Sequence, residues 1–424
     1  MCLVELDAAF YQYLLEKQFL PLLNVAQCFG FLPYPFDFQR QAEVKNIVLQ
    51  KMLTILNRTF GLAMIGTVLT CCVSLYVCYP SYMYEEDYPP VLNIAYHLEN
   101  WLKIVTVLVA VLRPQTSTAY FRETVNSLVQ IMVQYDQGWR IERKLASVAS
   151  VSKRLSVVFL LDDFTIATGL YFIVEGAPAT LINLCYIPPF IAIVINVLHY
   201  YALFGTISGI VSCSNDTLYG ITVEGKKDRQ RSCSERRRKS NKVENDIATI
   251  DKLVRLHKAL LHLTWKTNAH YGVLLLIIML YSFVQISVIL AELYFDNYDL
   301  PLVFVGICLT HAAVYFMFFL IIAHANHAII MENERTLLLL LDINCIWNSE
   351  LNGMVDYYFM QVSNLRDTHQ ACGMIKLDMQ LVPNVVAVIT SILFILMQFS
   401  DADQNQDIET LYRLDNIYNI SVET

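Results

Sequence analysis

Apolar residues along this chain gather into seven runs of membrane-crossing length, separated by segments of mixed or mainly polar character. The runs are Thr59 to Tyr79, Val91 to Leu112, Leu155 to Val174, Tyr186 to Cys213, Tyr271 to Leu293, Leu300 to Ala323 and Leu381 to Phe399. About 20 apolar residues cross a bilayer as a helix, and a helix satisfies its own backbone in hydrocarbon. The pattern therefore predicts seven transmembrane helices. Asp7 to Gln27 has another rhythm, with Phe10, Leu14, Leu15 and Phe19 on one side. It reads as an amphipathic helix lying beneath the membrane or docked on the bundle. From Ala323 to Val382 leucines are interspersed with Glu332, Glu334, Arg335, Asp342, Glu350, Asp356, Arg366 and Asp367. That stretch predicts inner helical extensions packed as a bundle outside the hydrocarbon, the alternative being one long amphipathic connector.

Composition agrees with the pattern, since 56% of the 424 residues are hydrophobic and 16% charged, too apolar for an ordinary soluble protein. Charge adds an orientation. If the seven spans alternate, twenty-eight of the 30 Lys and Arg fall on one side, against Arg413 on the other and Lys103 inside the second span. Positive loops stay cytoplasmic, which puts the N-terminus inside and the C-terminus outside, the reverse of a G-protein-coupled receptor. Met1 to Leu20 carries Glu5, Asp7 and Glu16 and lacks the basic start and short apolar core of a secretory signal.

The expected organisation is a cytoplasmic region over 1–58, four transmembrane helices over 59–212, and a cytoplasmic basic loop and helix over 213–270. Two more transmembrane helices follow over 271–323, then a cytoplasmic helical region over 324–380, a seventh transmembrane helix over 381–399 and an extracellular tail over 400–424. Gly225 to Lys242 is the most charged stretch and reads as disordered; a basic cytosolic loop in a membrane protein marks topology and meets anionic lipid, so nucleic acid is not an expected partner. Cys78 and Cys185 both map near the outer face, within range of a disulfide; two small buried apolar side chains are the alternative. Asn419-Ile420-Ser421 in the tail is a glycosylation acceptor pattern.

Polar groups inside spans are the first suspects for function. Glu99 and Lys103 stand at i, i+4 with the acid first and are expected to pair along their helix. Asp162 and Asp163 are adjacent and point about 100° apart, so at most one faces Lys103. His97, Trp101, Tyr171, Glu175, Asn196, Tyr281, Gln285, His311 and Tyr315 fall in the outer halves or middles of spans two to six. Aromatic walls with a few convergent polar groups are how small-molecule pockets are built, and packed helix contacts are the other reading of each. The last span carries Ser391, Ile395, Gln398 and Phe399 at i, i+4, i+7 and i+8. This stripe suits either an aqueous path or a lipid-buried helix whose glutamine bonds a neighbour. Catalysis has little support: His324 and His327 lack a third ligand, and the sequence has no phosphate-cradling Gly-rich loop, HExxH or Gly-x-Ser-x-Gly. Neither an enzyme nor a metal or other cofactor is expected.

Ser391-Ile392, five apolar residues and Gln398-Phe399 resemble the last-helix signature of insect gustatory receptors, Thr-Tyr, five hydrophobic residues and Gln-Phe, with Ser and Ile replacing Thr and Tyr. Ala371-Cys372-Gly373 with Leu377-Asp378 resembles that family's approach to this helix. Phe29-Gly30-Phe31-Leu32-Pro33-Tyr34 resembles its entry to the first, and Ile250-Asp251 through His257, Leu260 and Asn268 to Gly272 its approach to the fifth. The resemblance implies a multi-pass plasma-membrane receptor that is a ligand-gated, non-selective cation channel opened by a small-molecule tastant. It also implies a homo- or heterotetramer with gustatory receptor subunits, an anchor domain in 324–380, a ligand pocket in the outer half of each subunit, and a pore lined by Ser391, Ile395, Gln398 and Phe399. A bitter-type or unassigned ligand is preferred and a sugar stays open. A seven-helix G-protein-coupled receptor and a transporter are the alternatives; the first needs an external N-terminus, and the second would usually show internal repeats or paired broken helices.

Overall fold

The computed structural model describes residues 10–11, 13–15, 22, 25–26, 47–80, 90–116, 118–135, 138–173, 176–230, 236–295, 301–343, 349–364, 370–395 and 398. The described chain is almost wholly helical: α1 Ile47–Cys78, α2 Pro90–Thr116, α3 Thr118–Tyr135, α4 Gly138–Ile173, α5 Ala177–Gln230, α6 Arg236–Phe295, α7 Leu302–Asp342 and α8 Ser349–Ser363. A two-stranded antiparallel hairpin, β1 Gln370–Ala371 and β2 Ile375–Lys376, leads into α9, Leu381–Ile395. Stretches long and apolar enough to cross a membrane lie in α1, α2, α5, α6 and α7; α9 is apolar but shorter. The predicted third span lies in α4, where Asp162 and Asp163 interrupt the apolar run.

At 1.5 Å per residue the 60 residues of α6 extend about 90 Å, three times the hydrocarbon thickness. It and α5 therefore project well beyond the bilayer at the end opposite the α1–α2, α4–α5 and α6–α7 connections. We call the end with those connections upper and the other lower. Most of the stretch expected to be disordered is helical instead: residues 225–230 continue α5 and 236–242 begin α6, while 231–235 lie outside the described residues. Lys, Arg and Gln are good helix formers, and each residue added to an existing helix avoids the cost of a new nucleus.

Helix α5 is the hub, packing on α1, α2, α4, α6 and α7. It carries Pro188 and Pro189 in its interior, which removes two backbone donors and leaves the carbonyls of Leu184 and Cys185 without their usual partners. Tyr11, Leu14 and Leu15 belong to the main core, which docks the N-terminal segment on the bundle, whereas Phe10, expected on the apolar side, is exposed. Cys185 meets not Cys78 but Cys72, with the sulfurs 3.5 Å apart and both thiols buried; Cys78 is exposed at the upper end of α1. About one and two-thirds turns separate Cys72 from Cys78, and only the deeper thiol reaches α5.

In the lower bundle, polar contacts fix the helix extensions. Asn215 donates to the Glu332 carbonyl at 2.8 Å and its carboxylate at 2.9 Å, and accepts from Thr336 at 2.7 Å. Tyr200 donates to Asn268 at 2.8 Å and accepts from Asn326 at 2.7 Å, which ties α5, α6 and α7 together. His257, far below the predicted fifth span, is sealed in and meets the Tyr358 ring of α8 edge-on with centroids 5.6 Å apart. Burial pushes its pKa down to about 4.

The hairpin before α9 seats on α6. Cys372 and Gly373 are left-handed, with φ of 52° and 71°, and Met374 N–H closes the turn on the Ala371 carbonyl at 2.9 Å. Ala371 and Leu377 are fully buried. Asp378 accepts from Gln380 N–H at 3.0 Å, an Asx turn immediately before α9. A Cβ on Gly272 would stand 3.1 Å from the Cys372 backbone nitrogen, so glycine is what permits this approach.

Two outcomes follow. Unfolded histidine titrates near 6.5, and His257 is folded-neutral down to about pH 4, so between these values the unfolded chain binds the extra proton. Stability is full above pH 6.5 and falls as pH drops toward 4, by up to about 3 kcal/mol; melting of the purified protein against pH should lose this slope in His257→Gln. Gly272→Val should lower stability by about 1–3 kcal/mol through overpacking, whereas Gly306→Val, with no atom within 4 Å of its Cβ position, should leave the melting temperature nearly unchanged.

Candidate functional site

The upper half of the bundle holds its most concentrated group of buried polar side chains. Glu99 and Lys103 pair at 2.6 Å, as their spacing predicts, and are 1% and 2% exposed at the side chain. Tyr186 of α5 donates to Glu99 Oε1 at 2.7 Å and lays its ring under Lys103 Nζ, 3.3 Å from the centroid. Lys103 also donates to Asn100 Oδ1 at 3.1 Å. A lysine in this setting is held by a carboxylate, an amide and a π face together. Glu99 Oε2 is left buried without a hydrogen-bond partner.

A second group faces it. His311 of α7 and Asp162 of α4 pair at 2.9 Å, so neither aspartate takes Lys103: Asp162 is held by His311, and Asp163 lines a small cavity beside it. The His311 and Tyr315 rings meet edge-on at 4.8 Å, and Tyr315 meets Tyr281 of α6 at 5.7 Å, with their hydroxyls 3.4 Å apart. Phe190 packs against His311, Tyr315 and Phe318 at centroid distances of 5.9, 6.0 and 6.0 Å. The cavity, walled by Asp163, Asn183, Tyr186, Phe190, His311 and Tyr315 among others, is about 10 Å³, room for roughly one water molecule. Tyr96 and Glu292 hydrogen-bond above it, joining α2 to α6.

Of the pocket residues expected from sequence, Tyr281, His311 and Tyr315 converge here, with Gln285 buried one turn from Tyr281. His97 instead bonds Tyr76 at 2.7 Å, and Asn196 turns to its own helix at Ala192. Trp101 and Tyr171 point outward, 64% and 53% exposed; Glu175, Phe399 and Asn419 lie outside the described residues. Sequence reasoning missed Tyr186, Phe190 and Asn183, whose signal was the Pro188-Pro189 interruption beside them. On α9, Ser391 and Ile395 are exposed, as is Gln398 beyond its end, while Ile389 is buried and Ile392 packs with Leu92 and Ala291. The stripe thus faces away from its own bundle.

Long apolar helices that enclose a buried ion pair and aromatic rings in one half define a multi-pass membrane protein. A sequence profile of the 7tm chemosensory receptor family matches residues 19–403, and the chain belongs to that family, which is a family of receptors and not of enzymes. The fold is similar to two structures of the insect olfactory receptor OR5 from Machilis hrabei. One is in complex with eugenol, with a TM-score of 0.64, and the other has a TM-score of 0.65; in both, identity is 9%, over 91% of this chain and 99% of that one. No curated protein sequence matches the chain.

The buried pair gives a measurable expectation. Lys103→Met leaves Glu99 an unpaired buried charge and should cost about 3–5 kcal/mol, seen as lost surface expression and a lower melting temperature in detergent. Adding Glu99→Gln should restore most of the loss, because the amide still accepts from Tyr186.

Proposed function

We propose that this chain is a gustatory receptor subunit forming a ligand-gated, non-selective cation channel, a tetramer with α9 of each subunit around a central pore. The observation that carries the reading is the exposed Ser391, Ile395 and Gln398 stripe on a helix whose root is fixed to α6 at Gly272, about 14 Å along the same helix from Tyr281. Tyr281 stands in the wall of the aromatic and polar group, so one helix touches both the proposed ligand site and the seat of the proposed gate. Four copies of the stripe would make an apolar constriction beside an amide ring, a form suited to gating by dewetting. A relative of the same fold was solved with eugenol, a small aromatic molecule, which supports a small-molecule stimulus here.

The cavity is nearly closed, so a stimulus must favour an arrangement in which it is wider. Ligand shifts the equilibrium only by its differential affinity for the two states. In this reading Tyr186, Phe190, Tyr281, His311 and Tyr315 form the walls, and Asp163 and Asn183 supply the polar contacts. By sequence the α1–α2 connection is acidic through Glu85, Glu86 and Asp87, a charge that attracts cations. The orientation, with the N-terminus cytoplasmic, rests on the charge count of the loops.

Whole-cell recording under a panel of sugars and alkaloids tests this directly. A ligand-evoked cation current is expected that survives block of G-protein signalling, with conductance or ion selectivity altered in Gln398→Ala and ligand sensitivity reduced at least tenfold (on the order of 1.4 kcal/mol) in Tyr315→Ala. A current whose permeation is indifferent to Gln398 would exclude α9 from the pore.

A further inference from the structure

A cavity much larger than the one at the polar site lies elsewhere in the bundle. It measures about 280 Å³ and lies between α4 and α5, closed on one side by Leu22 and Val25 of the N-terminal segment. Its walls are almost entirely apolar: Ala149, Phe159, Val194, Ile195 and Leu198 are buried there. Its rim includes Val157 and Leu160, which are 57% and 60% exposed, so the cavity opens sideways through an apolar edge toward bilayer hydrocarbon.

One end of it is different in character. Ser152, Lys153 and Ser156 line the lower end. Ser152 is 7% exposed and its buried Oγ has no hydrogen-bond partner. Lys153 and Arg154 are exposed, and neither has a carboxylate partner among the described residues. Water does not fill an apolar space of this size, and a soluble ligand would have to enter through lipid. A chain of methylenes ending in a negative group, at the depth where bilayer hydrocarbon gives way to headgroups, satisfies every part of the lining.

We propose that this cavity binds an anionic glycerophospholipid of the leaflet at the lower, basic end of the bundle. One acyl chain lies among Val157, Leu160, Val194 and Ile195, and the phosphate sits at Lys153 with the Ser152 hydroxyl beside it. The loop charges make that leaflet the cytosolic one, where anionic lipid is concentrated. The occupant is not remote from the polar site, because Phe190 lines both cavities. An acyl chain against this ring touches a side chain that also packs on His311 and Tyr315.

The test uses the intact protein in nanodiscs and needs neither stimulus nor current. Phosphatidylserine and phosphatidylcholine carrying the same photoreactive acyl chain are crosslinked separately and the labelled peptides read by mass spectrometry. Labelling is expected in 149–160 and 190–198, about fivefold stronger for phosphatidylserine, the preference one basic side chain at a membrane surface confers. Lys153→Gln should abolish the preference and Lys153→Arg keep it; Arg154→Gln, at a residue outside the cavity lining, should also keep it. Equal labelling by the two lipids would mean ordinary boundary lipid only, and a preference indifferent to Lys153, or labelling confined to other peptides, would equally overturn the proposal.

Discussion

A charge in hydrocarbon has nowhere to go except to another part of the protein, and that constraint organises the upper half of this bundle. Lys103 is bound by Glu99, Asn100 and the face of Tyr186, and the hydrogen bond of Asp162 with His311 joins α4 to α7. Each contact is costly to break because the partner left behind keeps its desolvation penalty. Geometry here is therefore over-determined: α2 cannot rotate without taking Tyr186 with it, and α7 cannot slide without stripping Asp162. Such a site is rigid in its buried contacts and adjustable only in the aromatic rings between them.

The elements themselves were largely legible in the chain, and the reasons differ by element. Apolar runs of bilayer length declare their helices because hydrocarbon tolerates nothing else. The Glu99 and Lys103 pair was legible because its spacing is local. Asp162 finding His311 was not, since the partner is 149 residues away and its depth depends on where each helix starts. Trp101 and Tyr171 point outward for a related reason: a helix has an outside as well as an inside, and rotation about its axis is set by packing that no single span reveals. The cysteine pairing failed by six residues, the difference between a loop end and a buried turn.

Two short motifs read separately in the sequence meet in space. Asn268 to Gly272 and Ala371 to Asp378 form opposite sides of one contact, in which a left-handed turn, a buried leucine and an aspartate turn set the start of α9 against a helix with no side chain in the way. Periodicity carries no trace of this, since neither stretch is amphipathic in a way that names its partner. Fixed glycine and turn residues are intelligible only once the close approach is seen.

That seat has a consequence for how such receptors diversify. At 9% identity to a protein of the same fold, nearly every side chain in the bundle has been exchanged, and a cavity walled by tyrosine, phenylalanine and asparagine can be rebuilt one ring at a time. A backbone resting on a bare glycine admits no such gradual change, since the smallest addition moves the chain itself. On the proposed channel reading, side chains at the rings can change with little strain, whereas the seat of α9 cannot.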